Sequence, residues 1–225
     1  MQLRRILLYV AVLTTVSLPR MMTAQDASSS SAPKHTKKAP TPVESALDSG
    51  TIANGVYRNK MLGLSCKIPA GWVLRTDEMN NSEEDDAEKA KPAQASTNAS
   101  AKVLLAAFSR PPEARAEDVN SSILIAAEPA ASYPGLNDAA QYFGPLTEVA
   151  KAQGFTIDEE PYEIAVGTKT LVRGDFHKDV GSRVMHQSTL AMLSHSYAVS
   201  ITIIAGTEDD VEELIDGLTF SSSGK

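Results

Sequence analysis

Four extended apolar segments follow one another almost without interruption: Tyr162–Val166, Thr168–His177, Arg183–His195 and Tyr197–Ile204. Gly167, Asp179-Val180-Gly181 and the Ser194-His195-Ser196 corner mark the breaks. Gly, Asp and Ser are turn formers, and connections this short leave neighbouring strands antiparallel. In the last segment Val199, Ile201 and Ile203 alternate with Ser200 and Thr202, the period of a strand with two unlike faces. Whatever else the chain does, it must house this antiparallel run.

Two more strands precede it, Val103–Ser109 and Ser122–Glu128, with Arg110-Pro111-Pro112-Glu113 as the turn between them. Both are dense apolar runs, the pattern of strands covered on both faces. Further upstream, Gly55-Val56-Tyr57 leads into a turn at Arg58-Asn59-Lys60, and Leu62 to Ile68 returns, which predicts a hairpin. Pro69-Ala70-Gly71 ends it, and Trp72, the only tryptophan, reads as a core anchor. A helix is expected from Asn137, as cap, to Gln153, with Gly154 as its stop. Its apolar stripe is Ala140, Phe143, Thr147 and Ala150, and Pro145 inside it predicts a kink or a split. A final helix starts at Thr207, with Asp210 three residues on, and Val211, Leu214, Ile215 and Leu218 form one stripe. The expected class is α+β: a central antiparallel sheet of about six strands, an N-terminal hairpin, and helices on both faces.

The N-terminus speaks to destination. Arg4 and Arg5 precede an uncharged run of 13 residues, Ile6 to Leu18, and small residues follow Arg20. Thirteen helical residues reach about 20 Å, short of a hydrocarbon core of ~30 Å. Residues 1–24 therefore read as a secretory signal peptide, and the protein as exported, periplasmic or secreted. The alternative keeps residues 6–18 as a membrane tether with residues 25–50 as a stalk. Cleavage removes three of the 21 basic residues and none of the 28 acids, so the net charge falls from −7 to −10. Residues 25–50, rich in Ser, Pro, Ala and Lys, read as a disordered linker, and Lys34, Lys37 and Lys38 as its solvated charges. Residues 51–221 form the single domain, interrupted by a polar, acidic insertion at 76–101 expected to be disordered. Asn80, Asn98 and Asn120 stand in glycosylation sequons, should the source be eukaryotic.

The motifs Tyr57-Arg58-Asn59, Gly63-Leu64-Ser65 and Ile68-Pro69-Ala70-Gly71-Trp72, with the strand–helix ending at Leu218-Thr219-Phe220, resemble the PsbP family over about residues 52–221. That resemblance implies a PsbP-like α/β/α sandwich. It also implies an accessory protein rather than an enzyme, since family members include extrinsic subunits of the photosynthetic oxygen-evolving complex and a release factor for a nuclear-transport GTPase. No residue that docks those partners is matched here, and the acidic insertion departs from the pattern.

Catalytic and cofactor-binding residues are not found. The acidic balance excludes a general nucleic-acid binder, which needs a basic face. One cysteine excludes an intrachain disulfide framework and an all-cysteine metal site. Cys66 alternates with Leu64 and Ile68 and reads as a small buried hydrophobe rather than a reactive thiol. No nucleophile elbow, phosphate-cradling loop or dinucleotide fingerprint occurs, Ser182 reads as a turn residue, and Glu159-Glu160 as an exposed acidic pair. The one metal-like set is Asp175, His177 and His186. Asp175 and His177 share a strand face, and His186 joins them if the turn at residues 178–182 sets the right register. Two imidazoles and a carboxylate suit zinc or a similar metal. His195 lies about 30 Å from His186 along an extended strand, too far to be a co-ligand. The expected function is an exported, non-catalytic accessory or binding module, its partner an unidentified envelope or secreted protein, with no stable membrane insertion of the mature chain. The alternative is a metal-binding protein or metallohydrolase built on Asp175, His177 and His186.

Overall fold

The computed structural model describes residues 47–81, 101–111, 113–114 and 118–221. The expected signal peptide, most of the linker and residues 82–100 of the acidic insertion lie outside them. Strands are β1 (Thr51–Ala53), β2 (Val56–Asn59), β3 (Leu64–Lys67), β4 (Val73–Leu74), β5 (Lys102–Phe108), β6 (Ser122–Pro129), β7 (Thr156–Ile157), β8 (Tyr162–Val166), β9 (Lys169–Val180), β10 (Arg183–Ser194), β11 (Tyr197–Ala205) and β12 (Leu218–Phe220). Helices are α1 (residues 76–81), α2 (Ala139–Ala152) and α3 (Glu208–Asp216).

These strands form two sheets, which corrects the expected α/β/α sandwich. One has four strands in the order β1-β2-β3-β12; the other has eight, β4-β5-β6-β11-β10-β9-β7, with β8 also paired to β9. The N-terminal hairpin is thus no appendage of a central sheet. It is half of a second sheet, completed by the C-terminal strand through the pairs Leu218 with Cys66 and Phe220 with Leu64. The dense apolar runs do need cover on both faces, as expected. On one face that cover is largely a second sheet: Tyr57, Leu64, Cys66, Leu218 and Phe220 pack with Leu105, Ile125, Leu190, Ile201 and Ile203 in one core. Val211, Leu214 and Ile215 of α3 enter the same core. On the other face, Tyr142 and Phe143 of α2 pack over Val172, Ala191 and Ala198.

Local signals explain most elements. Asn54 and Gly55, both at positive φ (52° and 70°), make the two-residue turn joining β1 to β2, the Asn-Gly pair that favours such a hairpin. Asp138 rather than Asn137 caps α2, its carboxylate accepting from the Gln141 N–H at 2.9 Å. Pro145 lies inside α2, which remains one helix. Its buried residues are Tyr142, Phe143 and Ala150, while Ala140 is exposed. Thr207 caps α3 as expected, its hydroxyl 3.1 Å from the Asp210 N–H. The domain begins before Thr51: Leu47 is buried, the Asn59 amide donates to the Asp48 carbonyl at 2.7 Å, and the Tyr57 hydroxyl to the Ser49 carbonyl. Trp72 is half-buried against the main core.

Residues 76–81, the start of the insertion expected to be disordered, are part of the fold. Asn80 exchanges two hydrogen bonds, each 3.0 Å, with the Val103 backbone, and the Thr76 hydroxyl accepts from the Ala106 N–H. The Asn120 amide donates to the Arg110 carbonyl while its oxygen accepts from Ser109 and the Arg110 N–H. Both sequon amides therefore serve inside the domain, and a glycan at either would be attached to a nitrogen that already donates to the backbone. No helix among the described residues is long and apolar enough to cross a membrane.

Candidate functional site

The β9–β10 register decides which ionisable groups meet. Val180 pairs with Arg183 around Gly181 (φ 65°) and Ser182, so His177 stands directly opposite His186 and Asp175 opposite Ser188. Because alternate residues share a face, Arg173, Asp175, His177, His186 and Ser188 all point the same way. The edge strand β8 adds Tyr162, paired with Arg173. The segment after β7 adds Asp158, whose N–H donates to the Asp175 carbonyl at 3.0 Å. The capped first turn of α3 adds Glu208 and, one turn on, Glu212. Of these, Asp158, Tyr162, Arg173, Asp175, His186, Glu208 and Glu212 wall a depression of about 220 Å³.

At its centre is Arg173, with a side chain only 13% exposed. Its Nε donates to both oxygens of Asp175 at 2.9 Å, and its Nη2 to Glu212. The Tyr162 hydroxyl donates to Asp175 Oδ2 at 2.9 Å, and the guanidinium lies 6.0 Å from the Tyr162 ring centroid. Burial works against the Arg173 charge, but the hydrogen bonds and charges of Glu212 and Asp175 outweigh it and hold the guanidinium above its ordinary range. The Tyr162 phenol is pushed up to about 12 by burial and by its bond to Asp175, so it stays a donor. His177 Nδ1 contacts Asp158, and that hydrogen bond raises the imidazole above its ordinary value. His186 Nδ1 lies 3.6 Å from Glu208.

The register thus brings Asp175, His177 and His186 to one face, but each is engaged elsewhere: Asp175 by a guanidinium and a phenol, His177 by Asp158, His186 by Glu208. Among the described residues no group of three or more His, Cys, Asp or Glu could hold a metal ion. His195 occupies the turn after β10 at φ 50°, with Nδ1 2.9 Å from Ser194 Oγ. Glu159 and Glu160 are exposed. Cys66 is fully buried, and burial pushes its thiol up to about 12.

Arg173, Tyr162, Asp158, Glu208 and Glu212 were not singled out from the sequence. A usable signal did exist: Arg173 and Asp175, two apart in a strand, must share a face. Glu212 and Asp158 come from distant segments and left none. A second polar knot lies under α2, where Glu128 accepts from Tyr142 at 2.7 Å and from Tyr133, the two rings meeting edge-on at 5.1 Å. Burial and the Glu128 charge raise both phenols, which remain protonated donors.

No protein-family model matches the chain, so the PsbP resemblance gains no support there. No curated protein matches it either. Similar solved structures include LpqN of Mycobacterium tuberculosis, described as involved in cell envelope biogenesis, at 11% identity and TM-score 0.36, covering 71% of this chain and 83% of that one. A Pseudomonas aeruginosa protein of unknown function, PA94, a putative regulator by its description, aligns at 16% identity and TM-score 0.33, over 53% and 77%. A Bacteroides thetaiotaomicron protein aligns at 12% identity and TM-score 0.36, over 72% and 46%. At such scores these likenesses carry no argument about family or function.

Proposed function

We propose that the protein is an exported, non-catalytic accessory or binding module of the cell envelope or its exterior. The observation that carries this reading is the bonding inside the depression. Its innermost ionisable side chains, Arg173 and Asp175, are bonded to each other, to Tyr162 and to Glu212. A general base or nucleophile needs a free lone pair facing substrate, and a group already locked in an ion pair supplies none without breaking it. Arg173 serves instead to tie α3 to β9. Export rests on the signal-like residues 1–24. Mass spectrometry of the N-terminus of protein recovered from its native host tests export: a start near residue 25 supports it, and an intact residue 1 favours the tether. Turnover in a hydrolase panel that Arg173→Met abolishes while the variant stays folded would refute the non-catalytic reading.

A further inference from the structure

The outward face of the four-stranded sheet carries a charge opposite to that of the whole chain. Alternation sends Tyr57, Asn59, Leu64, Cys66, Leu218 and Phe220 inward, where all are buried, and leaves Arg58, Lys67 and Thr219 exposed on the other side. The register lines up Thr51, Arg58, Ser65 and Thr219 across all four strands, with Lys67 beside Val56 in the next row. Lys60 adds a third cation from the β2–β3 turn. No acid occurs from residue 49 to residue 76, in a chain of net charge −7. The remaining cation of that stretch, Arg75, is bound to Glu78 and Glu113. Among the described residues Arg58, Lys60 and Lys67 enter no ion pair.

Cations held apart on a sheet face without carboxylates mark a binding surface for negative charge. The backbone of β2 and β3 is paired on both sides, so the middle of the face cannot grip an extended peptide by strand addition. What it offers is positive charge and hydroxyl donors spread over a plane. We propose that this face docks on an anionic lipid surface, with Arg58, Lys60 and Lys67 on headgroup phosphates and Ser65 donating a hydrogen bond. Asp48 and Asp216, just before β1 and β12, flank the face and make the attachment weak and salt-sensitive. The docking is superficial, and it does not depend on the non-catalytic reading of the depression.

The full-length protein tests it. Its one cysteine is fully buried, so Thr219→Cys supplies a single reactive thiol for a fluorophore on the face, and Asp209→Cys one on the acidic helix α3. Each labelled protein is mixed with vesicles bearing a headgroup quencher, made of phosphatidylglycerol with phosphatidylcholine or of phosphatidylcholine alone. At about fivefold per cation, three cations favour the anionic vesicles by roughly a hundredfold at low salt. The label at 219 should be quenched on anionic vesicles and more strongly than the label at 209. Raised salt should abolish the difference. The double variant Arg58→Gln, Lys67→Gln, folded by circular dichroism, should bind about 25-fold more weakly. Equal quenching at both positions, as a tether at residues 6–18 alone would give, overturns the proposal. So does quenching indifferent to lipid charge, or none at all; binding of polyglutamate without binding of vesicles would assign the face to an acidic protein.

Discussion

Replacing Arg173 by Met keeps most of the side-chain volume and deletes the charge. The Arg173 and Asp175 side chains are 13% and 19% exposed, whereas Glu212 is 53% exposed. Removing one member of a fully buried pair costs about 3–5 kcal/mol, and exposed pairs contribute about 0.2–1 kcal/mol. Asp175 lies nearer the first case, relieved by the Tyr162 bond that survives, so Arg173→Met should destabilise by about 2–3 kcal/mol. With a urea slope of about 2 kcal/mol/M, the midpoint falls by about 1–1.5 M. Double-mutant cycles apportion the loss. The Arg173–Asp175 coupling should approach ~2 kcal/mol, while Arg173–Glu212 stays under ~1 kcal/mol. A coupling to Glu212 as large as that to Asp175 would show that burial does not set the strength of this network, and the reasoning would be wrong.

A Cβ on Gly174 would sit 2.5 Å from Cε1 of Phe143, so Gly174→Ala should cost about 1–3 kcal/mol in thermal unfolding, and the pair Gly174→Ala, Phe143→Leu less than the sum. Cys66 should resist alkylation in the native protein and react at once in urea. Its thiol, from 9.0, and the Tyr57 phenol, from 10.0, both rise to about 12 on folding. Between pH 9 and 12 the unfolded chain therefore loses protons that the folded one keeps, and stability falls with rising pH; a flat urea midpoint across that window would contradict the burial of both. Proton NMR should titrate His177 above its ordinary value, and Asp158→Asn should lower it. The contribution of that pair is fully present below the unfolded imidazole value, ~6.5, and is lost as pH rises through the folded one. Asn59 accepts from the Leu62 N–H at 3.0 Å and donates to Asp48 and Tyr57 while 1% exposed, so Asn59→Leu should destabilise by about 1–3 kcal/mol in urea denaturation.

Where a residue's role depends on neighbours a few positions away, reading the chain was enough. The meander from β8 to β11, the Thr207 cap, the buried face of α3 and the inward Cys66 all follow from short-range pattern, because strand and helix periods are local properties. The candidate ligand set was half legible in the same way: Asp175 and His177 had to share a face. Whether His186 joined them depended on the two residues of the Gly181-Ser182 turn, and one more would have turned it away. Only the tertiary structure revealed that Asp175 belongs to Arg173 and Tyr162. It also showed that the second cover of the large sheet is another sheet rather than helices. That sheet joins Leu64–Lys67 to Leu218–Phe220 across some 150 residues of chain. An apolar strand face carries no mark of which distant surface will bury it; hydrophobic burial has no direction, and the choice falls to whichever element the folded chain brings within reach.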